Sequence, residues 1–226
     1  VVTHPADDFV VTMKPLKTES QDAETLRELG SASVQVVHDL KNQLNGLKLY
    51  ATFLRKRMEK AARPADELET LAKLIAGLER AAADTTLLVR YGRPLELRRQ
   101  PGTDLARLLV DASSNADVAE GNYEGDFDPS LIAEALKNIT LGGRGEAGAE
   151  DEGASVRLRR EAANGVASAV IEWRGASHAD GDADPFGSFA GGEGLRMALA
   201  AKIIRAHGGE VAREGGVTRA RLPLSK

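Results

Sequence analysis

Between residues 21 and 62 no proline interrupts the chain, and Leu26, Leu29, Ser33, Val37, Leu40, Leu44, Leu47, Ala51, Leu54 and Met58 recur at steps of three and four. That period places them along one narrow apolar seam of a single long helix. Arg63-Pro64 ends it, because the residue before a proline is driven out of the helical region. A second stripe follows at Leu68, Leu71, Ile75, Leu78, Ala82, Thr85 and Val89 and runs out near Tyr91-Gly92-Arg93-Pro94. The pattern is a helical hairpin. Two helices cover each other's stripe only in part, whereas a second copy closes a four-helix bundle with both seams inside, so a homodimer is expected.

Past Pro101 the texture changes to shorter elements separated by Gly, Asp and Asn, which marks a domain boundary. Alternation and capping signals predict a short strand at 95–98 and a helix from Thr103 or Asp104 to about Ser113. A strand follows around 123–127, then a helix from Pro129 to about Leu141 with Asp128 as its N-cap. Strands at 155–161 and 166–173 form a hairpin. A helix from Glu193 to His207 stops at Gly208-Gly209, and strands near 210–213 and 218–223 finish the chain. The fold class is α + α/β, with the hairpin followed by an α/β sandwich carrying a mixed sheet. The expected division is a tail or linker at 1–20, the hairpin at 21–93, a linker at 94–102 and the sandwich at 103–226. Residues 8–14 alternate like the last strand of a preceding domain, such as a sensor, in a longer protein. The Gly-, Ala- and Glu-rich stretch 142–153 and the Gly-, Ala- and Asp-rich stretch 175–194 read as mobile loops.

Composition narrows the function classes. Aromatic residues make up 4% of the chain and the formal net charge is -4, which argues against a nucleic-acid or anionic-membrane surface. Without cysteine there is no thiolate metal site, disulfide or cysteine nucleophile. No apolar run approaches the ~20 residues that cross a bilayer. Asp180, Asp182 and Asp184 invite a calcium reading, but the later bidentate Glu of a calcium loop is lacking and a solvated loop is favoured. His207, before Gly208-Gly209, reads as a charge placed at a helix C-terminus. His4 and His178 have no supporting neighbours.

His38 lies in Val36-Val-His-Asp-Leu-Lys-Asn-Gln-Leu44, on the flank of the seam formed by Val37, Leu40 and Leu44. There a rigid helix can expose an imidazole nitrogen for in-line attack on a phosphoryl group. Asp39 can accept the other ring proton, and Asn42, one turn on, can orient a water. Spacing alone favours a solvated histidine with Asp39 and Lys41 as surface charges.

The run His38-Asp-Leu-Lys-Asn-Gln-Leu44 closely resembles the H-box of two-component sensor histidine kinases. The resemblance implies that His38 accepts the phosphoryl group, that Asp39 supports transfer and that Asn42 serves dephosphorylation of a response regulator. It also implies a bacterial, cytoplasmic setting with a receiver domain as partner. Gln43 stands where the family usually has Pro, so the helix is expected to bend less below the histidine.

The order of elements past Pro101 is similar to the ATP-binding domain of the same kinases, with damaged motifs. Residues 128–143 match the N-box helix and keep Asn138, for which the resemblance implies a magnesium or phosphate contact; the bland alternative is a core asparagine that bridges backbone. The family's second Asn is Gly142 here. In Ile171-Glu-Trp-Arg-Gly-Ala-Ser177, Trp173 occupies the position of the Asp that accepts from the adenine amino group, Gly175 is kept and Ser177 replaces a Gly. An indole offers no acceptor, and its bulk suits it to filling the adenine site. Pro185-Phe-Gly-Ser-Phe189 resembles the F-box. In Gly192-Glu-Gly-Leu-Arg-Met197, Gly192 and Gly194 remain while Arg196 replaces a phosphate-side Gly. The expectation is a dimeric histidine phosphotransferase or pseudokinase with no cofactor of its own. Two rivals stand beside it: an autophosphorylating kinase holding ATP and magnesium through Asn138, Gly175, Gly192 and Gly194, and a dimeric scaffold whose His38 carries no phosphate.

Overall fold

Thr18–Lys60 forms helix α1 and Ala65–Gly92 forms α2, in a computed structural model that describes residues 18–61, 63–142, 155–163, 166–174, 186–187, 189, 191–214 and 216–225. Pro64 stands at the turn, and Asp66 and Glu67 occupy the first turn of α2, where carboxylates meet the positive end of the helix dipole. The two helices are antiparallel partners, with Lys48 Nζ 2.8 Å from Glu79 Oε1. Their shared interior is small: Ala51, Leu71 and Ile75 are buried, and Met58 and Leu78 pack around them. The apolar face is wider than the seam read from sequence, because Tyr50 and Phe53 join Leu40, Leu47, Leu54 and Leu74 on the exposed side. Residues including Leu47, Tyr50, Phe53, Leu54, Leu71 and Leu74 line a shallow groove of about 430 Å³ there.

The remaining elements are β1 (Gln100–Asp104), α3 (Leu105–Ala112), β2 (Ala116–Val118), β3 (Glu124–Phe127), α4 (Pro129–Gly142), β4 (Ser155–Ala163), β5 (Val166–Arg174), α5 (Gly191–Ala206), β6 (Glu210–Glu214) and β7 (Val217–Pro223). A five-stranded mixed sheet has the order β2-β4-β5-β7-β6, with β2 parallel to β4 and the other pairs antiparallel. β1 and β3 form a separate antiparallel pair. Helices α3, α4 and α5 enclose the core with one face of the large sheet, through Leu105, Leu109, Ile132, Leu136, Ile139, Leu199 and Ile203 against Leu158, Ile171, Ala220 and Leu222.

The capping signals place α3 and α4 well. Asp104 Oδ1 accepts from Ala106 N at 2.9 Å, and Asp128 Oδ1 accepts from Leu131 N at 3.0 Å. The strand expected at 95–98 is not formed. Leu95 and Leu97 do pack on the core, which produces the alternation, but the backbone N–H of Arg98 donates to the Asp128 carboxylate at 2.8 Å instead of to a neighbouring strand. The true strand, β1, lies at the end of the stretch read as linker, disguised by Pro101 and by Gly102 at φ +74°. β2 has three residues, too few for alternation to show.

The other sheet face carries charge. Glu172, its side chain 5% exposed, accepts from Arg159, Arg174 and Arg219, each at 3.1 Å. Burial alone would push this carboxyl up, but the three guanidinium groups outweigh it and hold the pKa down at about 2. Val170 faces Arg159 and Arg221 across its two neighbouring strands and is fully buried, covered by arginine stems. The expected strand at 8–14, the Asp180–Asp184 stretch, Gly175, Ser177, His4 and His178 lie outside the described residues, as does most of both expected loops.

His207 corrects a sequence reading. It is 1% exposed, its Nδ1 lies 2.8 Å from Ile203 O, and its Nε2 accepts from Asp128 N at 3.1 Å. A ring that donates at one nitrogen and accepts at the other is neutral imidazole. His207 therefore joins the end of α5 to the start of α4 as a core bridge, not as a surface charge.

Candidate functional site

α1 has no helix breaker around His38, so residues four apart are stacked on one side of it. Asn42 Nδ2 lies 3.4 Å from His38 Nδ1. Asp39 Oδ1 is 3.7 Å from the same nitrogen, beyond hydrogen-bond range, and accepts instead from Gln35 Nε2 at 3.1 Å. The expectation that Asp39 takes the ring proton is thus corrected, since adjacent helix residues do not face each other. Its influence is Coulombic. As placed, the Asn42 amide Nδ2–H can donate only to an unprotonated Nδ1; in the amide's other orientation Oδ1 accepts from Nδ1–H, the tautomer that the nearby Asp39 carboxylate favours. Nε2 then carries the lone pair, and it has no partner among the described residues. The His38 side chain is 49% exposed, so that nitrogen can be approached. Gln35 was missed from sequence, although its spacing of four from Asp39 was the signal.

The second set of candidates sits on α4, β5 and α5. Trp173 is buried on the helix side of β5, in the core that α4 covers. Its Nε1–H donates to Thr140 Oγ1 on α4 at 3.2 Å. Asn138, on the same helix, is buried, and its Nδ2 has no hydrogen-bond partner among the described residues. Gly142, the last residue of α4, offers no side chain. Gly192 and Gly194 lie in the first turn of α5. Gly192 is brought not to His38 but against α2, where a Cβ on it would overlap the Asp84 carboxylate. Among the described residues no cluster of three His, Cys, Asp or Glu side chains is placed to hold a metal.

No family model matches the chain, and no curated protein matches it in sequence. Among solved structures, the histidine kinase ThkA in complex with the response regulator protein TrrA aligns at a TM-score of 0.54 and 15% identity, over 92% of this chain and 65% of that chain. The fold is that of a histidine kinase core. The histidine kinase AdeS of Acinetobacter baumannii aligns at 0.48 and 16%, over 79% of this chain and 94% of that one. A histidine kinase from Burkholderia phymatum STM815 aligns at 0.36 and 15%, over 88% and 98%. On the histidine-kinase fold, α1 and α2 are the helical hairpin, and residues from β1 onward are the ATPase-like domain.

ATP and magnesium, which the resemblance implies, fit these residues poorly. The Trp173 indole has a donor and no acceptor, its one polar atom is engaged by Thr140, and its ring occupies core volume between β5 and α4. Among the described residues Asn138 speaks in favour, its buried Nδ2 having no hydrogen-bond partner there.

Proposed function

We propose that this protein works in two-component signalling as a dimeric histidine phosphotransferase that exchanges a phosphoryl group between His38 and an aspartate of a response-regulator receiver domain, and that it does not load His38 from ATP. The observation that carries this reading is the half-exposed His38 imidazole, with Nδ1 beside Asn42 and with no partner for Nε2 among the described residues. The Nε2 lone pair attacks phosphorus in line, an N–P bond forms as the P–O bond of the aspartyl phosphate breaks, and the electron pair leaves with the aspartate carboxylate. Asp39 offsets the positive charge that the ring acquires, and Asn42 holds the Nδ1 proton. Magnesium for this step belongs to the receiver domain. In the reverse direction His38 surrenders the group, and Asn42 aligns a water when the acceptor is to be dephosphorylated.

The open apolar face of the hairpin, with Tyr50 74% and Phe53 64% exposed, supports a second copy as the layer that completes a four-helix bundle. Loss of ATP loading rests on Trp173. A second reading, an ATP-using kinase with a rebuilt nucleotide site, is favoured by the Asn138 amide, whose Nδ2 has no hydrogen-bond partner among the described residues. Two measurements separate them. Phosphoramidate treatment followed by ³¹P NMR is expected to give phosphohistidine in the wild type and none in His38→Ala. Calorimetric titration with Mg-ATP is expected to give no heat of binding. Saturable ATP binding with labelling of His38 would establish the second reading, and an unreactive His38 would leave a scaffold.

A further inference from the structure

The end of α2 that runs alongside the ATPase-like domain makes four separate contacts with it. Arg90 donates to Glu134 of α4 through Nε and Nη2, at 3.3 and 3.0 Å. Lys202 of α5 donates to the carbonyl oxygens of Tyr91 and, at 2.8 Å, Arg93. It thereby caps the C-terminal carbonyls of α2, with its ammonium 5.1 Å from the Tyr91 ring centroid. The Tyr91 ring meets Phe189 edge-on at 5.1 Å. Seven residues back along α2, the Asp84 carboxylate lies against Gly192, so close that a Cβ on Gly192 would overlap Oδ1. Asp84 therefore sits against the first turn of α5, at the end of the helix whose dipole favours negative charge.

Gly192 suits this seat because a side chain there displaces the carboxylate. The seat also places two anions in competition, since a phosphate group drawn to this turn meets Asp84 already there. We propose that the glycine box of α5 serves as an interdomain latch, with Gly192 as the seat for Asp84 and Lys202 as the cap on α2, locking the ATPase-like domain onto the hairpin. The latch rests on the reading that no nucleotide phosphate occupies the α5 N-terminus.

The cysteine-free chain allows a direct test. Cysteines at the exposed positions Lys73 on α2 and Glu120 between β2 and β3 carry spin labels, the labelled chain is mixed with an excess of unlabelled chain so that each dimer holds one labelled protomer, and the separation is read by double electron–electron resonance in the otherwise intact protein. The wild type is expected to give one narrow distance population. Gly192→Ala and Lys202→Met should each lower that population several-fold, while circular dichroism shows both units folded. Asp84→Ala should lower it as well, because the carboxylate seated on Gly192 is lost. A broad distribution in the wild type, or a Gly192→Ala variant identical to it, overturns the latch. Mg-ATP should leave the distances unchanged. A shift on adding it would support the competition at α5 while refuting the loss of ATP binding, so the two readings fail separately.

Discussion

Glu172→Gln removes one charge from a buried site and keeps its shape, so it isolates electrostatics. In the folded protein the Glu172 carboxyl titrates at about 2 instead of 4.5, because three arginine hydrogen bonds outweigh the cost of burial. Converted by linkage, that difference has a ceiling of about 3 kcal/mol. The arginine side chains are 37%, 59% and 37% exposed, and water screens them, which lowers the expected contribution to about 1–2 kcal/mol. The sign follows from the depressed pKa. Stability from Glu172 is fully present above pH 4.5 and is lost as pH falls toward 2. Trp173, the only tryptophan, is the next residue on β5 and reports unfolding of this domain by fluorescence. Urea melts at pH 7 should show Glu172→Gln less stable by about 1–2 kcal/mol, and the gap to wild type should close between pH 4.5 and 2.5. A gap that stays constant across this range, or a neutral substitution at pH 7, refutes the reasoning.

Trp173→Ala should destabilise the domain by about 3–5 kcal/mol through the cavity it leaves, whereas Trp173→Phe should lose about 1 kcal/mol for the hydrogen bond to Thr140; thermal melts followed by circular dichroism measure both. Tyr50→Glu with Phe53→Glu should convert a dimer to a monomer by light scattering, with the far-ultraviolet spectrum of the ATPase-like domain unchanged. Asn42→Ala should leave phosphoryl uptake by His38 within a few-fold while slowing loss of phosphate from a receiver domain by on the order of tenfold or more, read on phosphate-affinity gels.

The helical hairpin was plainly legible in the sequence, because a period of 3.6 sustained over two long segments with Pro64 between them has one physical solution. Caps at Asp104 and Asp128 were legible for the same local reason. β1 and β2 were not. Pro101 and Gly102 disguise the first, and the second draws its existence from β4, whose paired residues lie 40 positions on. At the site, His38 and Asn42 could be paired from helical spacing alone. That Asp39 turns to Gln35 instead of His38 depends on side-chain direction, which spacing to the nearest neighbour misjudges. Trp173 was identified as foreign to its motif, but its bond to Thr140 required α4 and β5 to be brought together. The seat of Asp84 on Gly192 joins residues more than a hundred positions apart and left no local signal. His207 was misread because a histidine before Gly-Gly resembles a C-terminal charge until the backbone of Asp128 arrives at its Nε2.

On the proposed function, His38 carries a phosphoryl group through Nε2 to and from a receiver aspartate. A receiver domain charged with radiolabelled acetyl phosphate, purified from the donor and mixed with this protein, gives the most direct measurement. Label is expected to pass to the wild type within minutes as acid-labile, base-stable phosphohistidine substituted at Nε2, and not at all to His38→Ala. Equal labelling of wild type and His38→Ala, or no labelling of either by receivers that do phosphorylate a known histidine phosphotransferase in parallel, contradicts it.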